Sequence, residues 1–138
     1  MKKKSTEQFN RGSKLLKEKR PDEYKNLMEG LAKTAPDVAE YVIGFVYGDI
    51  WSRKGLKLKS KALVTISALA AMGGVEPQLK SHIGGALKCG CSQKDIIETF
   101  MQIIPYAGFS RAINAIKAAQ EVFAQTAKKP ARQNKRKP

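Results

Sequence analysis

The sequence is poor in the residues that usually announce a chemistry. It has one histidine, one tryptophan and two cysteines. A lone histidine rules out a paired-histidine metal helix, and no phosphate loop or dinucleotide fingerprint is present. The cysteines, Cys89 and Cys91, are one residue apart. That is no disulfide framework, and a bridge at this spacing would be strained. No stretch approaches the ~20 apolar residues of a membrane span. Met1 to Lys4 have the charge of a signal-peptide n-region, but no apolar h-region follows. The expectation is a cytoplasmic protein with no membrane association. Strand-like alternation and internal repeats are also missing.

What is present fits one domain of 138 residues, 42% hydrophobic. A domain of this size leaves much of its surface exposed, and an oligomer would bury part of it. The net charge of +14 sits at the ends: residues 1–20 carry +6 and residues 128–138 another +6. The body between is nearly balanced. The chain is therefore divided into a basic, partly helical segment 1–20, a helical domain 21–127, and a disordered basic tail 128–138.

The apolar pattern is helical throughout. Expected helices run from Thr6 to Lys19, from Asp22 to Ala32, and from Pro36 towards Gly55, with Val38, Tyr41, Val42, Phe45, Val46 and Trp51 on the third. A fourth runs from Leu58 to Met72 and ends at Gly73-Gly74; a fifth begins at Glu76-Pro77 and runs to Lys88. Ser92 with Asp95 reads as a capping-box start to the sixth, which Pro105 ends or kinks. The seventh, from Phe109 to about Ala127, places Ala112, Ile113, Ile116, Ala119 and Phe123 on one side.

His82 falls near the inner face of the fifth helix. Two readings are open: a core histidine satisfied by a carbonyl, or a general acid or base suited to neutral pH. Glu76 opens the same helix and suits its positive end. It lies six residues from His82, so the two point about 120° apart on a regular helix. Because it precedes Pro77, Glu76 is expected to be outside the helix, free to swing to a cleft or to a site shared between subunits. Cys89 and Cys91 read as ordinary buried or half-buried thiols. The basic ends are solvated tails or a polyanion contact. Nucleic acid is the less favoured reading, because only Phe9 accompanies the charge. Trp51 and Phe45 read as core or interface.

Three stretches together resemble the carboxymuconolactone decarboxylase-like family. They are Gly48-Asp49-Ile50-Trp51-Ser52-Arg53 with Gly55-Leu56 and Leu63-Val64-Thr65-Ile66; Gly74-Val75-Glu76-Pro77 through His82 with Gly85-Ala86-Leu87 and Gly90; and Tyr106-Ala107-Gly108-Phe109 with Asn114-Ala115 and Glu121-Val122-Phe123. The resemblance implies an all-α, single-domain helical bundle of the alkylhydroperoxidase-like superfamily, with a central helical hairpin, assembling as trimers or hexamers. It implies cofactor-free, metal-free decarboxylation of a small carboxylated lactone, in which a proton reaches carbon as carbon dioxide leaves. His82 and Glu76 match the family's catalytic positions. Arg53, Lys61, Trp51 and Tyr106 are the substrate-binding candidates.

There are departures from the pattern. Lys61 stands where the family has arginine, which keeps the charge and loses the planar fork for a carboxylate. Ser110 replaces a common proline. Peroxidases of the same superfamily carry a Cys-x-x-Cys pair seven and four residues before the histidine. Those positions here are Val75 and Gln78, so thiol peroxidase activity is the second reading.

Overall fold

The computed structural model describes residues 2–129, with side chains from residue 6 onward. Most of the expected basic tail therefore lies outside the described residues. Among those described there are helices and no strands.

Helix α1 is Lys2–Lys19. Helices α2 (residues 21–34) and α3 (residues 36–51) each begin with a proline, Pro21 and Pro36, where a missing N–H costs nothing. Then come α4 (Leu58–Met72), α5 (Glu76–Lys88), α6 (Gln93–Gln102), the single turn Ile104–Ala107, and α7 (Phe109–Lys128). The capping box forms as expected: the Asp95 N–H donates to Ser92 Oγ at 3.0 Å, and the Ser92 N–H donates to Asp95 Oδ2 at 2.8 Å. The bond from the Ser92 N–H, then the Lys59 ammonium at 3.0 Å, holds the Asp95 carboxylate ionised, so its pKa falls to about 2.

Two features differ from expectation. The segments Asn26–Leu31 and Val42–Trp51 are wound in wider i→i+5 turns. More than 3.6 residues per turn shifts the inward stripe of α3 to Ala39, Ile43 and Tyr47, and leaves Val38, Tyr41 and Phe45 exposed. The helix also ends at Trp51, short of Gly55. In α7 the buried stripe is Ala112, Ala115, Ala119 and Val122, which puts Ile113 outside.

The core has two lobes. The larger is built by α4–α7 around Ile66, Ile83, Ile96 and Phe100, with alanines letting the helices close in. The smaller joins α1, α2 and α3 through Leu16, Leu27, Ile43 and Tyr47, and Trp51 packs against both. The α1–α3 contact depends on absent side chains. A Cβ on Gly12 would lie 1.8 Å from the Ile43 carbonyl oxygen, and one on Gly48 would lie 2.2 Å from that of Gln8. Arg11 fastens the same seam, donating to Gly48 O at 3.0 Å and to Asp49 at 2.9 Å. This close seating brings the end of α1, at Arg20, against α5. No helix among the described residues is long and apolar enough to cross a membrane.

Candidate functional site

His82 lies on α5 beside the buried Leu79, Ile83 and Ala86, and is itself half-buried. Facing it is Arg20, the residue between α1 and α2. Pro21 stops α1 and keeps Arg20 out of the helical region, at φ −142° and ψ 62°; its side chain turns inward, and the residue is 5% exposed. Its guanidinium forms a fan of contacts. One terminal nitrogen donates to Tyr47 Oη and lies 3.2 Å from His82 Nδ1. The other donates to the Ser81 carbonyl at 3.1 Å and to Ser81 Oγ at 2.9 Å. Glu23 balances the charge at 3.6 Å and accepts a hydrogen bond from Ser81 Oγ at 3.0 Å. Gly85 makes the room, since a Cβ there would lie 2.5 Å from Arg20 Nε.

The electrostatics follow from this packing. Burial, then the Arg20 charge, lowers the His82 pKa to about 4, so the ring is neutral at pH 7. Arginine can only donate, so Nδ1 is the acceptor and the ring proton sits on Nε2. Nε2 has no hydrogen-bond partner among the described residues. Burial pushes the Tyr47 hydroxyl up to about 12, partly opposed by Arg20. The result is a neutral imidazole with one nitrogen held and the other without a partner among the described residues.

The other expected site residues lie elsewhere. Arg53, Lys61 and Trp51 meet in a largely apolar hollow of about 280 Å³ with Ile50, Leu56 and Val64. The Lys61 ammonium donates to the Trp51 carbonyl at 2.7 Å and to the Arg53 carbonyl, closing the end of α3. Burial, then Arg53, lowers its pKa. Glu76 is exposed and is the first residue of α5, inside the helix rather than before it, because Pro77 is tolerated in a first turn. It borders a separate small hollow with Arg111 and Asn114, so the subunit does not join it to His82. Tyr106 is 85% exposed. A line of contacts does connect the Trp51 hollow to the histidine: Trp51 and Tyr47 rings 5.7 Å apart, then Arg20, then His82.

Cys91 is buried and Cys89 half-buried, and burial raises both thiol pKa values. No three His, Cys, Asp or Glu side chains among the described residues converge as a metal would need.

Sequence reasoning missed Arg20, Tyr47, Glu23 and Ser81. Arg20 was counted with the solvated charge of the first 20 residues. Its neighbours Lys17 and Lys19 look the same in sequence, and only Pro21 marks it as the end of a helix.

The described residues form an all-α body with the chain's single histidine held on α5, which packs against α4. The model of the carboxymuconolactone decarboxylase family matches residues 36–121, and the chain belongs to that family. It is 31% identical to the 4-carboxymuconolactone decarboxylase of Acinetobacter baylyi over 108 residues, 78% of this chain and 80% of that one. It is 30% identical to an uncharacterized 15.0 kDa protein of Paracoccus denitrificans over 99 residues, 71% of this chain and 74% of that one.

Proposed function

We propose that this protein is a carboxy-lyase that decarboxylates a small carboxylated lactone by proton transfer at His82, without a cofactor. The observation that carries the reading is the ring itself: the chain's single histidine, with Nδ1 held by a buried arginine and Nε2 without a hydrogen-bond partner among the described residues. In such a reaction the carbon–carboxylate bond breaks, carbon dioxide leaves, and the remaining electron pair spreads into the lactone as an enolate. A proton then adds to carbon. His82 gives that proton from the Nε2–H of its neutral ring, the Arg20 cation beside Nδ1 stabilises the imidazolate left behind, and water returns the proton to Nε2. Arg53 receives a substrate carboxylate, since Lys61 already holds two carbonyls, and Trp51 supplies an apolar wall.

Arg53, Glu76 and Tyr106 do not reach His82 within one subunit, so the proposal includes a homo-oligomer, a trimer or hexamer, that closes the site. Met72, Met101, Tyr106, Phe109 and Ile113 are exposed apolar side chains that such contacts would cover. The match to a protein named 4-carboxymuconolactone decarboxylase supports the substrate class. Thiol peroxidase chemistry is not favoured, because it needs an accessible thiolate and burial works against one at Cys89 and Cys91.

The test is to incubate the protein with 4-carboxymuconolactone in deuterated water, following carbon dioxide release and the product by NMR. The expected result is stoichiometric release with one deuterium added at carbon. Absence of turnover across a panel of carboxylated lactones would remove the reading. Size-exclusion chromatography with light scattering should give three or six subunits, and a monomer at micromolar concentration would remove the assembly.

A further inference from the structure

The family match begins at residue 36, yet the residue gripping His82 is Arg20, in the segment before it. Arg20 is the most constrained cation described. It is 5% exposed, and its two terminal nitrogens reach three residues from two helices: Tyr47 of α3, and Ser81 and His82 of α5. An arginine placed only to balance Glu23 would not need this fan, and that carboxylate is the more distant contact, at 3.6 Å. The costs around it point the same way. Gly85 leaves the space that the guanidinium fills, and Gly12 and Gly48 let α1 approach closely enough to deliver it.

We propose that Arg20 is the positioning residue of this site: its guanidinium fixes His82 as the tautomer protonated on Nε2 and turns that nitrogen out towards the reacting group. The segment before residue 36 is thus part of the site and not a solubilising tail. The inference rests on the reading of His82 as the proton-transfer group. The mechanism is geometric. A guanidinium has no acceptor, so an imidazole nitrogen in contact with it must be the bare one. Its planar fork fixes the ring's orientation as well, which a lysine's single ammonium could not do. The charged and titratable groups around the ring are Arg20, Glu23 behind it on α2, and Tyr47 from α3; Lys19 and Cys89 lie around the arginine.

With one histidine in the chain, the test is direct. Long-range proton–nitrogen NMR on the full-length, nitrogen-15-labelled protein gives one imidazole pattern, whether or not any substrate turns over. In the wild type, Nδ1 is expected at the shift of a bare nitrogen and Nε2 at that of a protonated one from pH 8 to pH 5, with titration centred at about 4. In Arg20→Met the midpoint rises by about one unit, because burial remains while the adjacent charge is gone, and the two tautomers mix. Arg20→Lys keeps a donor-only cation beside Nδ1, so the midpoint stays low and the Nε2–H tautomer is retained. A wild-type ring protonated on Nδ1 would overturn the proposal. So would Arg20→Met that keeps its helical circular dichroism with tautomer and midpoint unchanged. If Arg20→Met does not fold, the wild-type spectrum and Arg20→Lys decide, a ring protonated on Nδ1 in either counting against the proposal. A wild type with the expected tautomer and no lactone turnover would remove the proposed reaction and leave this role of Arg20 standing.

Discussion

Acid is the perturbation that reads the His82 environment most cleanly. Unfolded, the ring takes its proton near pH 6.5; folded, burial and Arg20 hold it off until about pH 4. Between these values acid favours the unfolded chain. Stability is therefore full above pH 6.5 and declines as pH falls towards 4. Each unit of difference is worth about 1.4 kcal/mol, so the loss reaches roughly 2 kcal/mol at pH 5 and about 3 kcal/mol at pH 4. For a domain of this size that is a fall in Tm of about 8 °C by pH 5. Other shifted groups stay out of the window. Asp95, depressed to about 2, loses its contribution only below the ordinary carboxylate range, and the raised Tyr47, Cys89 and Cys91 act in alkali. The assay is urea unfolding at constant ionic strength from pH 7.5 to pH 4.5, for the wild type and His82→Gln. Glutamine can still accept from Arg20 through its amide oxygen but does not titrate, so its profile should be flatter by the full difference. Parallel profiles for the two proteins would refute the reasoning.

The remaining predictions concern the scaffold and the thiols. Gly48→Ala places a Cβ against the Gln8 carbonyl, prising α1 from α3. It should cost about 2–4 kcal/mol in urea unfolding and disturb the His82 imidazole signals as Arg20 shifts, and a cost under 1 kcal/mol would contradict the close seam. Ser92→Ala removes the cap of α6 and should cost about 1 kcal/mol, with the His82 titration unchanged. Phe100→Ala empties a fully buried site in the larger lobe and should cost about 3–5 kcal/mol. Both cysteines should react slowly with a disulfide reagent at pH 7 and faster as pH rises, and rapid labelling at neutral pH would reopen the thiol reading.

Much of the fold could be read from local chemistry. Pro21, Pro36, Gly73-Gly74 and the Ser92/Asp95 pair mark helix boundaries because each acts on its own backbone, within three or four residues. The wide turns at Asn26–Leu31 and Val42–Trp51 have no such local mark. They were invisible, and with them went the inward register of α3. The site divides the same way. His82 stood out as the single residue of its type, and the Gly-Leu, Glu-Pro and Tyr-Ala-Gly-Phe segments carried the family. Arg20 did not stand out, because its meaning depends on Tyr47 and His82, 27 and 62 residues away. A charge pattern cannot tell a buried, shared guanidinium from a solvated one. Glu76 and His82 lie on different faces of α5, as their six-residue spacing implied, and Glu76 borders the α7 side with Arg111.

The most direct measurement is the rate of carbon dioxide release from 4-carboxymuconolactone by the wild type and by His82→Gln, at pH 7 and equal helical content. The account predicts turnover by the wild type and a loss of about 10²–10⁴-fold in kcat/KM for the variant, the usual contribution of a positioned proton-transfer group. A wild type that turns over while His82→Gln matches it would contradict the account, because the proton would then come from elsewhere.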